Sequence, residues 1–414
     1  MKRRTLIPIA AATAASAVST APTASTTSAT TSGGLTTLPP LSLYIHYPWC
    51  VRKCPYCDFN SHEARSGIPE AAYLAALIRD LESALPQIWG RHIVSVFIGG
   101  GTPSLLSAQA VDALLAALRA RLPLLADAEI TLEANPGTVE ADKFAAFRAT
   151  GINRLSLGIQ SFDDRHLAAL GRIHSGDEAR RAIELALRHF DNVNLDLMYA
   201  LPQQTLAEAR RDIESAAGYG GTHLSAYHLT LEPNTAFHHA PPPLPDDDLA
   251  ADMQEMVEST LAAQGFEHYE TSAYARAGRR CAHNLNYWTY GDYLGIGAGA
   301  HGKISSPGGI VREARRRHPR DYLAAVGSAD FIQERHAVGL AERPFEFMMN
   351  ALRLAAGFAP PLFEAHTGLP LATQTDALLA ASRQGLLTVD HERIAPTPHG
   401  QRFLNDLLTL FLPA

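Results

Sequence analysis

From residue 41 onward, short runs of alternating or crowded apolar residues recur at regular intervals. Ser42–Tyr47, Ile93–Ile98, Glu129–Ala134, Arg154–Gln160, Val193–Met198 and His223–Leu229 read as strands. Between them the apolar positions return every three or four residues. In Glu70–Leu85, the set Leu74, Leu77, Ile78, Leu81 and Leu85 lines one helical face, and Val111–Leu122, Val139–Thr150, Asp177–His189 and Thr205–Ala217 follow the same spacing. Strands alternating with helices predict an α/β chain whose parallel strands form a partial (β/α) barrel.

The pattern changes after residue 240. A proline run, 241–245, is followed by Asp246, Asp247 and Asp248, placed to cap a helix over Leu249–Gln264. Gly291–Gly302 reads as a turn-dense stretch. Arg312–Arg320 is basic but carries no interleaved aromatics, so it reads as a solvated face and not as a nucleic-acid patch. The last 70 residues hold helices around a hairpin, Leu386–Val389 with Ile394–Ala395, in an order that suggests a small α+β, winged-helix-like module. The expected organisation is a tail over 1–40, a core barrel over 41–275 and an accessory region over 276–414.

Charge and composition separate the tail from the body. The first 40 residues contain Lys2, Arg3 and Arg4, no acid, and long Ala/Ser/Thr runs; with a total of −7, this leaves the body at −10. The tail reads as a disordered low-complexity segment, with a targeting segment as the alternative. An acidic body argues against coating nucleic acid, and no apolar run reaches the length of a membrane span. Four cysteines in 414 residues exclude a disulfide scaffold.

Three of those four cysteines lie together. Cys50-Val-Arg-Lys-Cys54-Pro-Tyr-Cys57 is one compact array directly after a strand. Three thiolates on a tight loop can ligate three irons of a cubane cluster and leave the fourth iron open to a small molecule. Zinc competes for such a set, but structural zinc takes four ligands, usually as two spaced pairs, and the nearby fourth candidates are His46 and His62. The compact block favours iron–sulfur. Gly99-Gly100-Gly101-Thr102-Pro103 follows the second strand, where glycine allows close backbone approach. Glu133, Gln160 and Asp196 sit at or near strand carboxyl ends, the face on which parallel barrels build their sites.

Residues 43–60, with the cysteine array at their centre, resemble the radical S-adenosylmethionine enzymes. Within these the chain is similar to the branch of oxygen-independent coproporphyrinogen III oxidase and its heme-chaperone paralogue. The resemblance covers essentially everything after residue 40. It implies a [4Fe-4S] cluster on Cys50, Cys54 and Cys57, and S-adenosylmethionine held by Tyr44, Tyr56, Gly100, Gly101, Thr102, Glu133, Gln160, Arg172 and Asp196. It also implies reductive cleavage of that cofactor to methionine and a 5′-deoxyadenosyl radical, with an electron donor for the cluster.

Two features divide the branch. The oxidases carry a fourth cysteine two residues after the third; here that position is Phe59. Cys281-Ala-His283-Asn-Leu-Asn-Tyr287-Trp288 contains an H-N-x-x-Y-W signature that the chaperone branch associates with heme. Neutral imidazole is a good axial iron ligand, and Tyr287 and Trp288 offer flat aromatic contact. The resemblance therefore implies a heme-binding protein, with His283 as candidate ligand, that passes heme to an acceptor protein. The alternative is the enzyme, oxidative decarboxylation of coproporphyrinogen III. Cluster chemistry places either one in a reducing, cytoplasmic compartment.

Overall fold

The structure is a computed structural model and describes residues 34, 35, 37–65, 67–138 and 141–413. Most of the expected 1–40 tail lies outside the described residues. Leu35 is buried in the C-terminal core, and Arg91 donates to the Pro39 carbonyl at 2.5 Å.

A strand appears at each of the six places that the periodicity marks, and further strands lie outside them. The first strands are β1 (Leu41–Tyr47), the short pair β2 (Trp49–Cys50) and β3 (His62–Glu63), β4 (Ile93–Gly100), β5 (Leu124–Ala134), β6 (Arg154–Gln160), β7 (Val193–Tyr199) and β8 (His223–His228). After them come β9 (Glu267–Glu270), β10 (Ala273–Ala275), β11 (Asp292–Ile296), β12 (His301–Ser306), β13 (Gly309–Arg315) and β14 (Ile332–Val338). A final hairpin pairs β15 (Leu387–Val389) with β16 (Ile394–Pro396).

One 12-stranded sheet runs β14-β13-β12-β11-β1-β4-β5-β6-β7-β8-β10-β9. Its centre, β11 and β1 through β8, is parallel, and both edges are antiparallel. The two edge strands do not pair, so the sheet forms a partial barrel. Sheet strands continue to Val338, because Gly291–Gly302 is not all turn: Asp292–Ile296 pairs in parallel with β1.

Alternation within each strand decides its two faces. In β7, Val193, Leu195 and Leu197 enter the main core beside Ala179, Ile183 and Ala186 of helix Gly176–His189. Asn194 and Asp196 point to the opposite, inner face. Its neighbours follow the same rule, with Ser156 on β6 and His223 and Ser225 on β8 hydrogen-bonded to that pair or adjoining it. The inner face is therefore polar. Helices Gly176–His189 and Leu206–Gly218 each open on a reciprocal capping box, Ser175/Glu178 and Thr205/Glu208. Asp246 caps Asp247–Ala263 through the Leu249 N–H at 2.9 Å.

The basic stretch departs from its expected reading. Arg315 is buried between Asp80 and Glu313, and Arg312 is held by both oxygens of Glu346. Arg317 and Arg320 are exposed, as a solvated face requires. Glu346 belongs to helix Arg343–Ala351, the first of the C-terminal helices that pack with β15 and β16 around Phe347, Phe358 and Phe363.

Candidate functional site

The cysteine loop is fixed by the glycine triplet beneath it. Gly101 N donates to the Tyr47 carbonyl at 2.7 Å, and Thr102 N donates to that of Trp49 at 2.8 Å. A Cβ on Gly101 would lie 2.5 Å from the Trp49 carbonyl oxygen, and one on Gly100, at φ +112°, would lie 2.5 Å from the His46 ring. Gly100 and Gly101 are thus demanded by packing against the strand that delivers Cys50. A turn from Cys57 N to the Cys54 carbonyl brings round the third thiol, which sits 3.5 Å from Ser61 Oγ.

The donor set fits an iron–sulfur cluster better than zinc. His46 is engaged on both nitrogens. Nε2 faces the Asn60 carbonyl at 2.9 Å and must donate to it, so Nδ1 accepts from the Tyr44 hydroxyl, also at 2.9 Å. Burial holds the His46 imidazole down at about 4. His62 is engaged by the Asn60 side chain and packs edge-on against His318. Among the described residues, the set of His, Cys and carboxylate donors close enough to surround one ion is Asp163, His166 and Glu208, remote from this loop in sequence. Burial pushes the Cys50 thiol up to about 11, opposed by a hydrogen bond with Thr102, and raises Cys57 as well. Such thiols ionise when a cationic metal centre arrives. Phe59, in place of a fourth cysteine, is 57% exposed.

Arg172 ties this loop to the strand ends. Its guanidinium donates to the Asn135 side chain, to the Gly158 carbonyl at 2.8 Å and to Cys54 Sγ at 3.6 Å. Asn135 Nδ2 in turn donates to Thr102 Oγ1 at 2.9 Å. Thr102, Asn135 and Arg172 line one recess with Cys54. Tyr56 packs against Phe237, with ring centres 6.4 Å apart. Gln160 closes β6 at φ +66°, a left-handed conformation that a non-glycine residue adopts at a cost. Asn135 was missed in the sequence, although it follows a strand end as Gln160 does.

Glu133 and Asp196 face the same interior. Glu133 Oε2 accepts the Gly100 N–H at 3.0 Å. Asp196 lies mid-strand on β7 and accepts from Ser156 and Asn194 at 2.9 and 2.8 Å. Burial, then repulsion from Asp196, pushes Glu133 up to about 7; burial also raises Asp196. Among the described residues neither carboxylate has an ion-pair partner within salt-bridge distance. A cofactor bringing an ammonium and a sulfonium supplies the charge that this pair lacks, so the residues present fit S-adenosylmethionine.

The H-N-x-x-Y-W signature forms a short helix, Ala282–Trp288, lying inside the sheet. Glu129 accepts the N–H groups of Ala282 and His283 at 3.1 and 3.2 Å and the Cys281 thiol at 3.3 Å. Asn286 donates to Ser42 Oγ and to the Asp292 carbonyl. His283 Nδ1 lies 3.0 Å from Ser95 Oγ, and its ring packs against Phe97 at 5.0 Å and Tyr44 at 6.4 Å. Among the described residues its Nε2 has no hydrogen-bond partner. Burial takes the imidazole down to about 3, so it is neutral at any working pH. The signature residues do not converge on one flat platform: Tyr287 pairs with Tyr293, and Trp288 lies under Arg353. Cys281 is a buried thiol raised to about 12, mainly by burial. Glu129 and Ser95, which seat this helix, were not singled out in the sequence.

The profile of the radical SAM superfamily matches residues 44–216, and that of the HemN C-terminal domain matches 339–403. The chain is 50% identical over 383 residues to the heme chaperone HemW of Escherichia coli (strain K12), covering 91% of this chain and all of that one. It is 48% identical to heme chaperone HemW of Haemophilus influenzae, covering 91% and 98%. A mitochondrial radical S-adenosyl methionine domain-containing protein 1 of Mus musculus is 36% identical, covering 90% and 87%. Among solved structures, the coproporphyrinogen III oxidase HemN from Escherichia coli superposes with a TM-score of 0.78 at 24% identity, covering 92% of each chain, a likeness of fold. The superfamily brings with it a [4Fe-4S] cluster and S-adenosylmethionine as cofactors. With whole-length identity at this level, the chain belongs to the HemW family of the radical SAM superfamily.

Proposed function

We propose that this chain is a heme chaperone on a radical SAM scaffold. Cys50, Cys54 and Cys57 hold the cluster, the barrel mouth holds S-adenosylmethionine, and the helix Ala282–Trp288 presents His283 to heme for delivery to an acceptor protein. Bound together, the cluster and S-adenosylmethionine supply one-electron reductive chemistry at the sulfonium.

The chain's own residues have separable roles in this reading. Glu133 and Asp196 face the cofactor's cationic groups, while the Gly100 N–H keeps Glu133 oriented. Arg172 ties the Cys54 sulfur to Asn135 and the Gly158 backbone, so loop and pocket wall share one hydrogen-bonding group. Gln160, Thr102, Tyr44 and Tyr56 complete the pocket walls, the last chiefly through its backbone. His283 is a neutral imidazole, so no imidazolium proton must leave before iron binds. A reducing, cytoplasmic compartment suits reduced thiols and a reducible cluster, with a separate donor supplying the electron.

The observation that carries this reading is the full-length likeness to heme chaperones at 50% identity, against a likeness to the oxidase that extends to fold alone. Phe59, exposed where the oxidases place a cysteine, points the same way. The test is anaerobic cluster reconstitution followed by parallel assays, an optical titration with heme and a coproporphyrinogen III turnover assay. Saturable heme binding without turnover is expected. Protoporphyrinogen formation with no heme spectrum overturns the proposal in favour of the oxidase.

A further inference from the structure

Trp288 and Arg353 meet where the inner helix touches the C-terminal helical module. The Arg353 guanidinium carbon lies 5.0 Å from the Trp288 ring centre. Arg353 is tethered through Nε, which donates to the Met349 carbonyl at 3.3 Å. Among the described residues its two terminal nitrogens meet no acceptor. The Trp288 indole N–H is shut away from solvent and also has no acceptor.

Buried donors nearly always find acceptors, so the orphaned indole N–H beneath a guanidinium whose terminal nitrogens are unengaged marks a place where an acceptor belongs. The neighbouring protein groups do not fill it. Glu270, buried at the end of β9, accepts the Ser272 N–H at 3.3 Å and is pushed up to about 7 by burial; the Arg353 charge opposes that rise from nearby, but the two side chains share no hydrogen bond. The Tyr287 hydroxyl is turned to Tyr293 at 3.4 Å. Arg312, the other cation on this side, is already paired with Glu346.

We propose that Arg353 and the Trp288 indole N–H form a carboxylate-binding subsite that takes an acidic side arm of the bound porphyrin. This rests on the heme-chaperone reading and extends it. A planar guanidinium stacked over the indole can offer its two free nitrogens to the two oxygens of a carboxylate, with the buried indole N–H at the same junction. Trp288 lies on the same helix as His283, so a ligand held there is anchored by its periphery as well as by its iron.

The test uses the full chain with its cluster reconstituted, titrated with hemin and with hemin dimethyl ester, in which both carboxylates are masked. The wild type is expected to bind the free acid about 10–100-fold more tightly than the ester, the range of a charge-assisted hydrogen bond. Arg353→Gln should lose most of that preference while its ester affinity stays at the wild-type level. Trp288→Phe, which keeps an aromatic ring and removes the N–H, should lose a smaller part of it. Iron and sulfide contents equal to the wild type establish that the variants are folded. An unchanged preference in Arg353→Gln, or equal weakening toward both porphyrins, overturns the subsite alone. Failure of the wild type to bind either porphyrin overturns the heme reading and the subsite with it.

Discussion

Replacing Glu133 by Gln should stabilise the cofactor-free protein, and by an amount that depends on pH. The Glu133 carboxyl is raised from 4.5 to about 7, first by burial and then by Asp196. An acid whose pKa rises on folding is easiest to accommodate when protonated. Its contribution is therefore fully present below the unfolded value and is lost as pH rises through the folded one. At about 1.4 kcal/mol per unit, the ionised carboxylate destabilises the fold by roughly 3 kcal/mol at pH 8 and by roughly 1 kcal/mol at pH 5. Glu133→Gln removes that penalty. Urea unfolding of the cofactor-free chain should thus show the variant ahead of the wild type at pH 8 by about 3 kcal/mol, with the gap shrinking to about 1 kcal/mol at pH 5. The same substitution should weaken S-adenosylmethionine binding, because it deletes one of two negative charges awaiting a cation. A stability gap that is the same at both pH values would refute the argument that Glu133 is an ionised group held without a partner.

Further outcomes follow from the same geometry. Replacing Cys50, Cys54 or Cys57 by Ala should each abolish the cluster, read as loss of bound iron and acid-labile sulfide. Gly101→Ala sets a methyl 2.5 Å from the Trp49 carbonyl oxygen, and should cost about 1–3 kcal/mol and impair cluster retention. Chemical denaturation and iron content check it. Glu129→Ala strips the acceptor from the Cys281 thiol and from the Ala282 and His283 N–H groups, and leaves buried Arg154 without its carboxylate. A loss of about 3–5 kcal/mol in unfolding free energy is expected, with heme binding lost too.

Much of the barrel was legible because its strands alternate. Val193, Leu195 and Leu197 announce one face, and the same rule sends Asn194 and Asp196 to the other, so the strand pattern already contained the polar interior. The cysteine array was legible because all three thiols fall on one local turn. What escaped notice depends on partners distant in sequence. Glu129 finds Ala282 and His283 more than 150 positions later, and Ser95 meets His283 across 188. A single strand residue gives no sign of such a partner. Arg312 and Arg315 misled for the opposite reason: a local run of cations looks solvated, yet Glu346 and Asp80 arrive from remote helices to bury two of them. The glycine triplet was legible as a close approach, although the nearest neighbours of Gly100 and Gly101 are His46 and Trp49.

The central claim, that the inner helix carries heme through His283, is tested most directly by optical titration of the cluster-loaded wild type and His283→Ala with heme under anaerobic conditions. With iron and sulfide contents equal in both, the wild type should saturate at one heme per chain with an axially ligated spectrum, and His283→Ala should lose that spectrum. An identical spectrum and affinity in the two proteins would contradict the assignment.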